Sequence, residues 1–557
     1  MRFQHAVLAL SLVVALVYAP SIGYSFVSHD DHEYAYENDM VRRGLSASGI
    51  RWAFRSCGYA SNWHPLTWIS LQADAEICRR LYGSFRDDDL AHTMHFHNVV
   101  IHALNAALLL TLMMLMSSAA GGARDRGDQC LVAALLCALW AIHPLRTEVV
   151  CWVSERKEVS SVFWMLLSMV LWVLPRSLRT FLPSFACHAL ALCCKPVAVT
   201  LPVALFAWDW IMLRRPFRRT FLSTLAFGIL SLGCIVLTFK AQTDPLEAGR
   251  QFTVLKQAVM AVSAPIVYLR QTVCPCGLSA IYPIPTILGI ACEAVLGVIL
   301  IGAMALAAFH WLKHRKTWSS ICTFGICWAY VALIPMLGIV KVGDQHHSDR
   351  YTYWAGCAVA AVCWLLMRKC VRIRDAVMLK VLAGLLVIST VLTLSRMRVW
   401  RDSLAFYADC VPKSWHPDAI CVYSNVLRRK GPEGARQAEE LLREALAHTR
   451  NPDVRAEFAH VLAFGARKSD IVLDPNSPDP AFAEALLDAE EVLESDPGNS
   501  RAHQAIAFIR LKEGKTDEAL SHLETALKTA KKNDVNWIRK MIEDCRRKLA
   551  EGVDVQR

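Results

Sequence analysis

Up to about Ser395 the chain is built from apolar blocks long enough to cross a hydrocarbon core, and beyond Arg396 no such block occurs. A spanning helix needs about 17–25 apolar residues, and in lipid its backbone must satisfy its own hydrogen bonds. This restricts the first part of the chain to an all-α transmembrane bundle. The tail, rich in charged residues and Ala, is soluble and helical. The boundary falls near Arg396–Asp402, giving a membrane domain at 1–395 and a second domain at 396–557. The 54% hydrophobic content and mean hydropathy of +0.31 follow from that division.

The formal charge of +11 does not point to nucleic acid. Its basic residues cluster between apolar blocks, at Arg214, Arg215, Arg218 and Arg219, at Lys313, Arg315 and Lys316, and at Arg368, Lys369, Arg372 and Arg374. Such clusters mark cytoplasmic span ends. The twenty cysteines form no disulfide or zinc framework, because most lie inside apolar blocks and act as small hydrophobes. Cys274-Pro-Cys276 is too short for a CxxC site. Cys57 and Cys78 could pair in an oxidising compartment.

About eleven spans are expected. The first, Ala6–Tyr24, is read as an uncleaved anchor with a cytoplasmic N-terminus, which makes 25–95 a long outer loop. Spans follow at about Phe96–Ser118, Cys130–Ile142 and Val159–Leu174, with two more inside Phe181–Leu213 around Lys195. Further spans lie at Phe221–Phe239, Ile287–Ala308, Ile321–Val340, Tyr353–Met367 and Val377–Leu394. The cytoplasmic ends include Arg124–Arg126. Phe252–Val273 is taken as interfacial or re-entrant, since a full crossing would put the later basic clusters outside. The odd total places the tail outside, in periplasm or lumen.

The tail reads as tetratricopeptide-like helix pairs forming an α-solenoid. Ala507, Gly514, Ala519, Leu523 and Ala526 occupy small and packing positions of a unit at Ser500–Lys531, and Ala485 precedes Ala519 by one repeat period. A looser unit runs through Tyr423, Gly431, Ala438, Leu442 and Ala445. Asp474–Pro480 reads as a loop insertion, and Val535–Leu549 as a capping helix. Stacked helix pairs present a concave surface to a peptide or protein.

Ionisable residues on the outer face carry the candidate chemistry. Asp30 and Asp31 follow the first span and could act as a general base, or serve as solvated boundary charges. Trp63 and His64 lie in an aromatic stretch that suits a sugar or an interfacial belt. Arg146, Arg156 and Lys157 stand outside against the charge trend, as phosphate ligands or as a loop paired with Glu155 and Glu158. Asp349, Arg350 and Tyr351 belong to the polar run 344–353. The neighbouring His346-His347 lacks carboxylate spacing for a metal. Lys195 is explained by snorkelling.

The run SHDDHEY, NWHPLTW, HPLRTE, SERKE, KPVAVTLPVALFAWDW and DRYTYW, followed by the repeats, resembles bacterial multi-span TPR proteins. Those are similar to the eukaryotic transmembrane-and-TPR O-mannosyltransferases of the GT-C glycosyltransferase type. The resemblance covers nearly all of the chain. It implies a GT-C-like bundle, a polyprenyl-phosphate sugar donor and an acidic base in the first outer loop, which by position is Asp30 or Asp31. It also implies phosphate contacts at Arg156, Lys157 and Arg350, to which the residue types add Arg146. His64, Trp63, Glu155, Asp349 and Tyr351 are assigned to the substrate pocket. The expected partners are the lipid-linked sugar, membrane lipids and an acceptor protein or peptide held by the repeats. No cofactor or bound metal is called for, and a divalent-cation requirement stays open. A non-catalytic membrane scaffold is the competing expectation. A transporter fits less well, because the charges gather at the outer face and no inverted halves are visible.

Overall fold

In the computed structural model, residues 2–120, 127–242, 253–337, 346–370, 376–464, 480–530 and 532–550 are described. Arg124–Arg126, Asp344, Arg372, Arg374 and most of the expected insertion at 474–480 lie outside them. Among the described residues the chain is all-α, 84% helical without strands. It divides into two compact units, 1–406 and 407–557.

The principal helices of the first unit are α1 Phe3–Tyr18, α2 Pro65–Tyr82, α3 Asp87–Ala119, α4 Gly127–Ala141, α5 Thr147–Cys151, α6 Arg156–Val173 and α7 Leu178–Leu192. They continue with α8 Phe217–Ala241, α9 Val254–Val273, α10 Ala291–His314, α11 Thr317–Leu333, α12 Thr352–Cys370 and α13 Ala376–Met397. Six stretches among them are long and apolar enough to cross a membrane, at Phe3–Gly23, Asp87–Ala119, Phe217–Ala241, Leu288–His314, Thr317–Met336 and Ala376–Trp400. The count reaches seven if α4 and the helix after it, bent by 58° at the HPL turn, form one broken span. Among the described residues, six or seven stretches thus meet that requirement by length and composition, where the sequence suggested eleven. The apolar blocks at 159–174, 181–213 and 353–367 are helical, but shorter, broken or more charged.

The expected outer loop 25–95 is a folded helical layer. Trp68, Leu71, Ala75 and Cys78 of α2 pack with Leu90, Ala91 and Met94 at the start of α3, and with Tyr34 and Val153. Cys78 lies in this core while Cys57 is exposed, and both are free thiols, so the suggested pairing is not made. Helix α3 starts well before Phe96, with Asp87, Asp88 and Asp89 in its first turn and Asp89 closing a capping box. Its 33 residues reach about 50 Å, more than a ~30 Å hydrocarbon core, and its first turns pack into the helical layer of 25–95.

Two of the basic clusters meet, while Arg368 of the third bonds Ser117. Arg176 and Arg215 both pair with Asp209, at 2.8 and 3.1 Å, and Arg214 donates to the Arg315 carbonyl. Helix α9 is one unbroken helix rather than a re-entrant hairpin. It meets two polar turns, at Ser263, whose hydroxyl lies 3.3 Å from His346 Nε2, and at Thr272, whose carbonyl lies 3.0 Å from His143 Nε2.

The second unit stacks α14 Pro417–Arg428, α15 Pro432–His448, α16 Pro452–Phe464, α17 Pro480–Ser495, α18 Ser500–Lys512, α19 Thr516–Thr529 and α20 Lys532–Ala550. Ala507, Ala519, Leu523 and Ala526 are buried with Ile538, Ile542 and Cys545 of α20, which closes the stack as a cap. Ala438, Leu442 and Ala445 fill the equivalent seam of the first pair. Gly434 lets α15 cross α14 at contact distance, since a Cβ there would stand 2.0 Å from the Leu427 carbonyl oxygen.

Candidate active site

The turn after the first span separates the two aspartates that sequence alone left equivalent. Asp31 is fully buried. Its Oδ2 accepts from the Val27 amide at 2.9 Å, and its Oδ1 accepts from the Ser154 amide at 3.0 Å and the Ser154 hydroxyl at 2.6 Å. Burial pushes its carboxyl up to about 6, against the lowering effect of those hydrogen bonds. Asp31 thus fastens the first outer segment to the SERK turn, with its lone pairs already engaged. Asp30 is half-buried, and among the described residues its carboxylate accepts no hydrogen bond and pairs with no cation. Its carbonyl accepts from the Tyr34 amide at 3.1 Å. Burial first, and then the charges of Asp30 and Glu155, push the Tyr34 phenol well above its ordinary value.

Around Tyr34 the chain assembles a buried ionic cluster. Lys157 Nζ donates to the Tyr34 hydroxyl at 3.2 Å, sits 4.4 Å from that ring centre and reaches Glu155 at 3.5 Å. Lys195 bridges Glu155 and Glu158, each at 2.9 Å. Arg350 pairs with Glu148, which also accepts from the Arg350 amide at 3.0 Å, and approaches Glu155 at 3.6 Å. Its guanidinium lies 5.6 Å from the Trp152 ring, against which His29 packs at 5.2 Å. Burial would raise the Glu155 carboxyl, but Lys195, Lys157 and Arg350 together outweigh it and hold the group down at about 2. Three carboxylates and three cations balance here. Pairing of this quality is what permits six charges to be buried together.

Lys195 accordingly does not snorkel. It is 8% exposed and bound on two sides by carboxylates. Arg156 is also not part of the cluster. Its guanidinium donates to Asp74 at 2.8 Å and to the Met94 carbonyl at 2.7 Å, and it bonds Asn98. With its fork spent on α2 and α3, the side chain is a strut between layers and not a free phosphate ligand. The expected loop pairing holds for Lys157 with Glu155, whereas Glu158 turns to Lys195.

Asp349 and Arg146 lie one layer away. Asp349 Oδ1 accepts from Tyr282 at 2.6 Å, and Tyr282 in turn accepts from Gln271 at 2.9 Å. Burial and then Glu148 push the Asp349 carboxyl up to about 7. Arg146 is buried over the rings of Trp140 and Tyr353, at 5.9 and 5.6 Å. Tyr353 is itself anchored by His102 at 2.7 Å and Asn105 at 3.0 Å. Tyr351 stacks under Arg350 at 5.0 Å. His64 is buried between Tyr34 and Trp68, with ring centres 5.4 and 4.6 Å away, and Trp63 donates to the Phe54 carbonyl at 3.2 Å. Both belong to the outer layer's framework. His346 and His347 contact each other at 3.0 Å, and among the described residues no cluster of three metal-ligating side chains occurs.

Sequence reasoning missed Tyr34, Trp152 and Tyr282, and it underrated Glu148, Glu158 and Lys195. The sequence does carry one usable signal. Lys195 and Glu148 both flank apolar segments, where an unpaired charge is too costly to keep.

Residues 481–537 match the family model of the tetratricopeptide repeat. No curated protein matches the chain.

Proposed function

We propose that the chain is a membrane glycosyltransferase that moves a sugar, a hexose such as mannose, from a polyprenyl-phosphate donor to a hydroxyl acceptor on the outer face. The observation that carries this reading is an uncommitted carboxylate, Asp30, on the turn that also positions Tyr34, whose hydroxyl receives Lys157 of a buried cation set that includes Lys195 and Arg350. The acceptor hydroxyl gives its proton to Asp30 while its oxygen attacks the anomeric carbon. The bond from that carbon to the phosphate oxygen breaks with its electron pair on the leaving lipid phosphate. Lys157 and Arg350 stabilise that charge, and a low-dielectric site makes such stabilisation large. In this reading Asp31 and Arg156 are structural, and the repeats present an acceptor protein on the extracytoplasmic side within a GT-C-like frame.

The tetratricopeptide match favours one second reading, a membrane-anchored scaffold that recruits envelope proteins without chemistry. Purified wild type and Asp30→Asn, given radiolabelled polyprenyl-phosphate hexoses and a membrane-free envelope extract, separate the two. Transfer by the wild type and its loss in Asp30→Asn supports the enzyme. No transfer from any donor, with partner capture retained, supports the scaffold.

A further inference from the structure

The second unit contains a cavity of about 520 Å³ that the proposed chemistry does not use. It opens between α14, α16, α18 and α20, and its wall carries Arg428, Arg429 and Arg501 with His460, Phe464 and Trp537. Two acids face these cations. Buried Glu457 lies 3.2 Å from Arg501 and 3.7 Å from Arg428, and Asp534 lies 3.5 Å from Arg501. Three guanidinium groups against two carboxylates leave a positive surplus, and exposed Arg429 has no ion pair among the described residues.

The hydrogen bonds are short of acceptors as well. Arg428 Nη1 lies 3.2 Å from His460 Nδ1, and Arg501 Nη1 lies 3.3 Å from His460 Nε2. A guanidinium can only donate, and a neutral imidazole has one accepting nitrogen, so one of the two donors meets an N–H, and Arg501 Nη1 otherwise reaches Gln504 Oε1 only at 3.5 Å. A carboxylate entering the cavity would supply the missing acceptor and match the guanidinium fork. Beside it, Phe464 and Trp537 meet edge to face at 5.4 Å, and Trp537 is 36% exposed, which offers an apolar seat next to the charge.

We infer that this cavity binds an acidic peptide segment of a partner protein, an Asp or Glu side chain pairing with Arg429 and Arg501 and a neighbouring apolar side chain resting on Trp537. The site stands whether or not the first unit is a transferase.

The probe is a fluorescein-labelled hexapeptide of alternating Glu and Phe, acetylated and amidated at its ends, titrated by fluorescence anisotropy into the full-length protein in detergent. Saturable binding is expected, at least tenfold weaker for the same peptide with Gln in place of Glu. Arg429→Glu, at an exposed position that leaves the fold intact, is expected to weaken binding at least tenfold with an unchanged melting temperature. Trp537→Ala is expected to weaken it about threefold. Equal affinity for the Glu and Gln peptides, or an unaltered Arg429→Glu, overturns the proposal. So does binding only by the peptide with a free C-terminal carboxylate, or displacement by polyphosphate at lower concentration than by unlabelled peptide.

Discussion

Lys195→Met tests the ionic cluster at its most connected point. The substitution keeps the length of the side chain but leaves Glu155 and Glu158, each 2.9 Å from the lost ammonium, facing one another in a buried site. Breaking a buried pair by removing one partner costs ~3–5 kcal/mol. The pH dependence is the sharper readout. In the wild type the Glu155 carboxyl falls from an ordinary 4.5 to about 2. At ~1.4 kcal/mol per pH unit, that difference is ~3 kcal/mol of stability, fully present above pH ~4.5 and lost as pH falls towards 2. Without Lys195, burial prevails and the carboxyl rises above its ordinary value. The sign then reverses, and the variant loses stability as pH rises through its new, raised value. Thermal unfolding in detergent, followed with a thiol-reactive dye that reports exposure of buried Cys78, Cys151 and Cys194, gives the comparison at pH 5 and 8. The deficit should be large at pH 8 and shrink at pH 5, and adding Glu158→Gln should recover part of it. A variant that melts with the wild type at pH 8, or whose deficit stays constant across the range, refutes the argument.

Other expectations follow from the same geometry. Asp31→Asn places an amide where three donors need acceptors and should destabilise by ~1–3 kcal/mol on thermal unfolding, whereas Asp30→Asn should leave stability unchanged and abolish transfer. Arg156→Lys cannot reproduce a fork shared by Asp74, Asn98 and Met94, and should lower the melting temperature even though charge is kept. Gly434→Ala should loosen the first helix pair of the second unit, seen as faster amide exchange in Ala438 and Leu442, because its Cβ meets the Leu427 carbonyl.

The division into membrane and repeat parts was legible because apolar block length and repeat spacing are properties of composition. The span count was harder to read, since helices such as Arg156–Val173 open with charges whose partners include residues far away in sequence, Asp74 for Arg156 and Lys195 for Glu158. Lys195 shows why. Its isolation in sequence suggests snorkelling, while its partners Glu155 and Glu158 arrive only when α6 and α7 pack together. Asp30 and Asp31 make the converse point. Adjacent and identical in type, they are told apart by the Val27 amide and by Ser154, more than a hundred residues on, which engage one and not the other. Burial of α2 against α3 was equally hidden, because Trp63, His64 and Trp68 have the composition of an interfacial belt.

The balance of the cluster bears on how an anion would be received. Glu148, Glu155 and Glu158 already match Lys157, Lys195 and Arg350, so within the cluster an arriving phosphate finds no spare cation and must share one. Lys195 is held at 2.9 Å by two carboxylates and Arg350 by both Glu148 and Glu155. Lys157 has the weakest ionic hold, a single carboxylate at 3.5 Å, with the rest of its support from the Tyr34 hydroxyl and ring. A ring and a phenol release an ammonium at lower cost than a carboxylate does, so Lys157 is the cation positioned to turn towards the donor. Under the proposed function, Lys157→Gln should therefore raise KM for the lipid-phosphate donor about tenfold or more with little change in melting temperature. Lys195→Gln should lower stability first. If the two variants lose stability equally and neither changes KM selectively, the cations act as one structural unit and the phosphate is held elsewhere.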